Sequence, residues 1–152
     1  MGQWMTGDPI PHDHHVSRHC GPNVCPDGDV QGTAFHRKPD ERGMSVNCLE
    51  YTRQGDRQSA LRSVIGILRG KGRKIKPTSY LAVLNVGEVI QRVVSQTQNQ
   101  TVLAVTHFPE LPLDDTHVEM SGMAPADEFV GELLAECARK TGVYLVSSLS
   151  AR

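Results

Sequence analysis

Hydrophobic and polar positions from residue 44 onward follow two periods in turn, one typical of strands and one typical of helices. Residues 44–51 alternate partly between apolar and polar side chains, as a half-buried strand does. Residues 61–68 instead place apolar side chains at i, i+3, i+4 and i+7, and Asp56 precedes them as a candidate helix cap. The compact apolar runs 80–84 and 102–106 predict buried strands. The pattern therefore predicts a sheet with helices packed on it.

The rest of the chain continues this alternation. Residues 86–94 keep helical spacing, but their β-branched side chains leave a strand open as the alternative. A helix is expected to begin near Pro125 and to end near Gly142, with short strands at 117–120 and 143–146. The order of these elements predicts an α/β or α+β fold in one small domain, with a mixed sheet and about three helices packed on it.

Residues 1–43 differ from the rest in composition. They hold five of the nine prolines, six of the fourteen glycines and five of the seven histidines, with few clustered apolar residues. Because proline and glycine interrupt regular elements, this N-terminal segment is predicted to be irregular. We expect residues 1–14 to be a disordered N-terminus and residues 15–152 to form a single globular domain.

Charge and cysteine content narrow the class of protein. Sixteen Lys and Arg against seventeen Asp and Glu leave a net charge of −1, so the total charge gives no general attraction to nucleic acid. No apolar run is long enough to span a bilayer, and the chain starts with neither the basic nor the apolar part of a secretory signal. Four unevenly spaced cysteines do not form the disulfide framework of a small secreted domain. We therefore expect a soluble cytoplasmic protein that does not act at a membrane.

Charge is nevertheless distributed unevenly along the chain. Residues 53–76 contain eight Lys and Arg and a single acid, whereas residues 110–139 contain eight acids and a single Arg. Glycines interleave with the basic residues after position 68, and such a loop can hold phosphate through side chains and backbone N–H groups. The leading hypothesis is thus a small binding protein that recognises a partner protein or a phosphate-bearing ligand, with RNA or a plain solvated loop as alternatives. The candidate ligand-binding residues are Arg37, Arg69, Lys71, Arg73, Lys74 and Lys76, together with Arg18.

A second cluster combines residue types that bind transition metals. His19, Cys20, Cys25 and His36 lie close together in the sequence, and zinc prefers imidazole and thiolate ligands. The spacing between the two cysteines is one residue longer than in a usual zinc knuckle, and no second cysteine pair follows. A zinc-stapled interaction module is one interpretation, and ordinary packing and surface roles are the other. No other cofactor is predicted.

An enzyme acting on a nucleotide or nucleic acid is a further alternative. Arg18, Ser45 and Glu50 resemble, in their order along the chain, the phosphate-binding and NAD-orienting groups of some ADP-ribosyltransferases. His107 and His117 lack the hydroxyl residue two positions later that a twin-histidine phosphoesterase needs, so we expect them in a loop and an edge strand. The candidate catalytic residues, for this or for phosphate-transfer chemistry, are Arg18, His36, Ser45 and Glu50.

Four motifs together resemble a family of short bacterial proteins. They are HVSRHC at 15–20, AFHRKPDE at 34–41, MSVNCLEY at 44–51 and AVLNVG at 82–87. The resemblance implies a compact bacterial domain and carries no catalytic residue, fold or cofactor over to this chain. Exposed strand edges in a domain of this kind also allow a homodimer.

Overall fold

Six strands and four helices lie within residues 7–149, the part of the chain that the computed structural model describes. The strands are β1 (His15–Cys20), β2 (Met44–Cys48), β3 (Tyr80–Asn85), β4 (Ala104–His107), β5 (His117–Ser121) and β6 (Val143–Leu145). The helices are α1 (Arg57–Gly70), α2 (Val86–Gln96), α3 (Glu128–Thr141) and the short α4 (Val146–Leu149). Among these described residues, no helix has both the length and the apolar character needed to cross a membrane.

Side-chain caps mark the start of the three longer helices. The Asp56 carboxylate accepts a hydrogen bond from the Ser59 backbone N–H at 2.8 Å. Asn85 caps α2 and Asp127 caps α3 in the same way. These caps satisfy N–H groups that the first turn of a helix leaves without a partner. The helical interpretation of residues 86–94 is therefore the one observed, despite their β-branched side chains.

The six strands form one sheet in the order β4-β5-β2-β1-β3-β6, and every pairing between them is antiparallel. The sequence suggested a mixed sheet because helices alternate with strands. Helices α1, α2 and α3 do connect strands that run in the same direction, but other strands lie between the two members of each connected pair. The predicted class, one small domain of mixed α and β structure, is confirmed, and its α+β form is the one observed.

Two hydrophobic clusters lie on opposite faces of the sheet. Helices α2 and α3 cover one face, where Val16, Val46 and Val118 of three adjacent strands are buried. Helices α1 and α4 pack on the other face against Leu81 and Val83 of β3. No residue of β2 or β5 belongs to this second cluster. On the face of the sheet that α1 covers, strands β2 and β5 therefore have no helix packed over them.

Residues 7–10 lie along the outer edge of β4, and His12 and His14 accept hydrogen bonds from the first residues of α2. The Ile10 N–H donates a hydrogen bond to the carbonyl of Val105 at 2.9 Å, and the Ile10 side chain is buried in the first cluster. The composition of residues 1–14 predicts a disordered N-terminus. Of that segment, residues 7–14 hydrogen-bond to β4 or to the start of α2, and residues 1–6 lie outside the described residues.

Candidate functional site

A groove of about 240 Å³ opens on the part of the sheet that α1 leaves uncovered. We call it the central groove. Its floor carries Ser17 of β1, Ser45 and Asn47 of β2, and His117 of β5. Its sides carry Arg18 and His19, the end of α1 with the following Lys71 and Arg73, and Glu110.

Strand register explains why the floor is polar. Ser17 pairs with Asn47, and Asn47 pairs with His117, so three polar side chains form a row across β1, β2 and β5. Successive side chains of a strand point to opposite faces. The intervening valines, Val16, Val46 and Val118, enter the core beneath α2 and α3. One face of these strands therefore builds the core and the other builds the central groove.

Ser45 and His117 form a hydrogen-bonded pair at the centre of the floor. The carbonyl of Phe108 lies 2.6 Å from Nδ1 of His117, and a carbonyl can only accept, so Nδ1 carries the proton of the neutral imidazole. Nε2 then presents its lone pair to the Ser45 hydroxyl, whose Oγ lies 3.1 Å away. A carboxylate oxygen of Glu110 lies 3.8 Å from the same Nε2. His117 is only 4% exposed, which holds the ring in this orientation.

A buried ion pair closes one side of the central groove. The Lys71 ammonium contacts Asp114 at 2.7 Å and also contacts Glu110. Asn47 and Thr116 donate further hydrogen bonds to Asp114. Burial opposes the charge of Asp114, but the hydrogen bonds from Lys71 and Thr116 outweigh it and hold its pKa below the ordinary value. Burial likewise opposes the charge of Lys71, and its two carboxylate partners still raise its pKa.

Arg18 occupies the gap where β1 and β2 separate. Their pairing ends at Ser17 and Asn47, and the next side chain, Arg18, donates to the carbonyls of Ala34 at 3.1 Å and Ser45 at 2.9 Å. Burial lowers the pKa of Arg18, but a guanidinium stays charged at neutral pH. Arg18 forms no salt bridge with any residue in 7–149, so its charge contributes to the field in the central groove.

The pKa of His19 is affected by the positive charge in the central groove. Burial, together with the charges of Arg73 and Arg18, lowers the pKa of His19 to about 4. Its Nε2 lies 3.0 Å from the hydroxyl of Ser79, which itself donates to a backbone carbonyl, so Nε2 carries the proton. His19 is therefore neutral at pH 7, mainly because it is buried and also because Arg73 and Arg18 carry positive charge nearby.

The hydroxyl of Ser17 is buried and has no hydrogen-bond partner in the described part of the chain. Ser17 is 2% exposed, and its Oγ makes no hydrogen bond to any residue within 7–149. A buried polar group without a partner costs free energy, so such groups commonly receive a water or a ligand. The three cations Arg18, Lys71 and Arg73 face two carboxylates, Glu110 and Asp114, which leaves a surplus of one positive charge. The central groove is thus suited to an anion.

Comparison with known proteins assigns no role to this groove. No family model, curated protein or solved structure matches the chain. The resemblance to a family of short bacterial proteins therefore stays a prediction. Function has to be inferred from the side chains of the central groove.

The four candidate catalytic residues are not brought together. Arg18 and Ser45 meet in the central groove. Glu50 instead accepts hydrogen bonds from the backbone N–H and the ring of His15, at 2.7 and 2.8 Å, beside the start of α1. His15 and the groove residue His19 lie at opposite ends of β1, roughly 13 Å apart. His36 lies on the other face of the sheet, in the depression that also borders α3.

The candidate ligand-binding residues divide in the same way. Lys71 and Arg73 line the central groove, whereas Lys74 and Lys76 are exposed beside it. Arg69 donates to the carbonyl of Ile75 and holds the loop against α1. Arg37 donates to the carbonyls of Lys38, Glu41 and Met123, so it joins two loops away from the central groove.

The candidate metal ligands point in different directions. His19 faces the central groove, and the next residue, Cys20, enters the core on the opposite face. Cys25 is also buried in that core, and His36 lies near α3. Burial raises the pKa of Cys20 to about 12, which disfavours the thiolate that zinc requires. No group of three or more His, Cys, Asp or Glu suited to a metal occurs among residues 7–149.

Sequence reasoning did not select His117, Asn47, Asp114, Glu110 or Ser17 for the site. Some signal was present, because 45–47 and 117–119 both read polar, apolar, polar. A polar face on a strand whose other face is apolar marks either solvent or a site. The pairing of β2 with β5 is needed to show that this polar face lines a groove and is not simply exposed to solvent.

Proposed function

We propose that the central groove binds a small anionic ligand that carries a phosphate group. The observation that supports this most directly is the unpartnered, buried Ser17 hydroxyl in a groove with a surplus positive charge. A phosphate group supplies both the negative charge and the acceptor oxygens that such a site lacks.

The basic residues have different parts in this proposal. Lys71 is engaged by Asp114 and Glu110, so its role is to hold the side of the groove in place. Arg73 is exposed at the rim, forms no salt bridge within residues 7–149 and is free to turn toward a ligand. Arg18 lies deeper and contributes mainly its charge, since two backbone carbonyls hold its guanidinium.

The size of the groove favours a small ligand. A volume of about 240 Å³ is below the about 300–1,000 Å³ that is usual for small-molecule sites. A phosphorylated metabolite or a mononucleotide is therefore favoured over a polymer. A partner protein, which the leading hypothesis from the sequence also allowed, stays a prediction.

Calorimetry and NMR at fixed ionic strength test the proposal, with AMP and inorganic phosphate as probes and adenosine as the uncharged control. We expect AMP to bind and adenosine not to bind. Arg73→Ala should weaken AMP binding about tenfold or more, the usual worth of a hydrogen bond to a charged group. Lys74→Ala is the matched control, because it removes the same charge from the adjacent residue, which does not line the groove.

His19 provides a second readout. A bound anion favours the imidazolium form, so the pKa of His19 should rise from about 4 when AMP or phosphate is added. The proposal is wrong if neither probe binds at millimolar concentration. It is also wrong if Arg73→Ala and Lys74→Ala weaken binding equally, since that would indicate a diffuse surface that attracts RNA or any polyanion.

A further inference from the structure

We infer that Ser45 is a nucleophile and His117 its general base, and that together they cleave a carboxylic ester in the ligand of the central groove. The identity of that ligand rests on the proposed function. The nucleophile itself rests on a separate observation, the hydrogen bond between Ser45 and His117.

The pair has the geometry that activates a serine hydroxyl. A nucleophile needs a base within hydrogen-bond reach, and the base needs a third group that orients it. Ser45 Oγ lies 3.1 Å from Nε2 of His117, and the carbonyl of Phe108 holds Nδ1 at 2.6 Å. That carbonyl selects the tautomer in which Nε2 accepts the serine proton. The arrangement is sterically fixed, because His117 is 4% exposed.

The position of Glu110 favours a carbonyl over a phosphoryl centre as the target. Its carboxylate lies 3.8 Å from Nε2 of His117. A negative charge there stabilises the imidazolium that forms when His117 takes the proton. Lys71 pairs with the other oxygen of this carboxylate, but the side of the groove next to His117 still presents a carboxylate oxygen, which cannot donate to the anionic oxygens of a phosphoryl group approaching Ser45, whereas an ester carbonyl is neutral. The phosphate is thus a recognition group bound near Arg73, and the bond that breaks lies over Ser45.

The reaction proceeds in two steps, formation of an acyl-serine and its hydrolysis. Ser45 Oγ attacks the carbonyl carbon while its proton moves to Nε2 of His117, and the bond to the alkoxy oxygen then breaks as His117 returns that proton to the leaving alcohol. Water next attacks the acyl-serine, again through His117, which releases the carboxylic acid and restores the Ser45 hydroxyl. The Ser17 hydroxyl, which has no hydrogen-bond partner among residues 7–149, lies on the same face of the neighbouring strand, opposite Asn47.

Labelling with a fluorophosphonate tests the nucleophile directly. Ser45 Oγ forms a bond to phosphorus, fluoride leaves, and mass spectrometry of the digested protein locates the adduct. We expect the adduct on Ser45, no adduct in Ser45→Ala, and labelling about 100-fold or more slower in His117→Gln. Ser121→Ala, a serine of β5 that does not line the groove, is the matched control and should label normally.

Ser45→Cys keeps the test decisive if either variant folds poorly. The four native cysteines are buried. Iodoacetamide should therefore alkylate Cys at position 45 alone, and faster than it alkylates a cysteine placed at the control position 121. Equal rates at the two positions would overturn the inference.

Failure of this inference can be told apart from failure of the proposed function. AMP binding without any adduct on Ser45 overturns the nucleophile and leaves the phosphate site intact. If Ser45 is labelled and AMP does not slow the labelling, Ser45 is a nucleophile, but the inference that it acts on the ligand bound at the phosphate site is overturned. An adduct that AMP slows supports both.

Discussion

Replacing Lys71 by methionine tests whether the buried ion pair holds the side of the central groove. The Asp114 side chain is 0% exposed and that of Lys71 is 14% exposed, with 2.7 Å between Nζ and Oδ2. Removing one member of a buried pair costs about 3–5 kcal/mol, because the other charge stays buried without compensation. Asn47 and Thr116 continue to donate to Asp114, so we expect a loss near the lower limit, about 3 kcal/mol of unfolding free energy.

Urea unfolding followed by circular dichroism measures this loss. With a slope of about 2 kcal/mol per molar urea, the midpoint should fall by roughly 1.5 M at pH 7. Lys74→Met removes an exposed charge three residues away in the same loop, and it should stay within about 0.5 kcal/mol of the wild type.

The pH dependence provides an independent check on the mechanism. In the wild type the pKa of Asp114 is lowered, so its contribution to stability is present above its unfolded pKa and is lost as pH falls through its folded pKa. In Lys71→Met the same carboxyl is buried without its cation, its pKa rises, and protonation relieves the cost. The stability difference between the two proteins should therefore shrink as the pH is lowered from 7 to 5. A difference below about 1 kcal/mol at pH 7, or one that does not shrink, would refute the reasoning.

Three other predictions follow from the described contacts. Gly122→Ala should lower the unfolding free energy by more than about 2 kcal/mol, because φ is +105° and the new Cβ would lie 2.2 Å from the carbonyl oxygen of Val102; an unchanged melting temperature would contradict this. Burial raises the pKa of Cys20 and of Cys48 to about 12, so a thiol reagent at pH 8 should leave both unmodified in the folded protein and react with them in urea. The pKa of His19 is about 4 in the folded protein and about 6.5 in the unfolded chain, so the unfolded chain is protonated at His19 at a higher pH. The free energy of unfolding should therefore decrease as the pH falls from about 6.5 to about 4. His19→Gln should make this decrease smaller in a pH series of melting temperatures.

Much of the secondary structure could be read from contiguous residues. The spacing of apolar residues in 61–68 and the cap at Asp56 predict α1, because both the period of a helix and its first-turn hydrogen bonds involve neighbours in sequence. Residues 86–94 were ambiguous, since β-branched side chains suit both helix and strand. The cap at Asn85 and burial of one side of α2 against the sheet decided that segment.

Residue type was enough to select several residues of the candidate site, but it did not show which other residues they contact. Arg18, Ser45, Lys71 and Arg73 were selected from the sequence, and they do lie in the central groove. Glu50 was selected for the same reasons, yet it pairs with His15 at the other end of β1. Residue type shows what a side chain can do, and it does not show which strand end or sheet face carries it.

The sequence by itself determined α1 and α3, most strands, the mixture of α and β structure and the uneven charge, because each of these depends on local periodicity or composition. Only the tertiary structure decided that Ser45 meets His117, 72 positions later in the chain. That contact requires β2 and β5 to be neighbours in a register that aligns their polar faces. Strand order and register depend on burying the apolar faces under α2 and α3, and this is a property of the whole chain rather than of either segment.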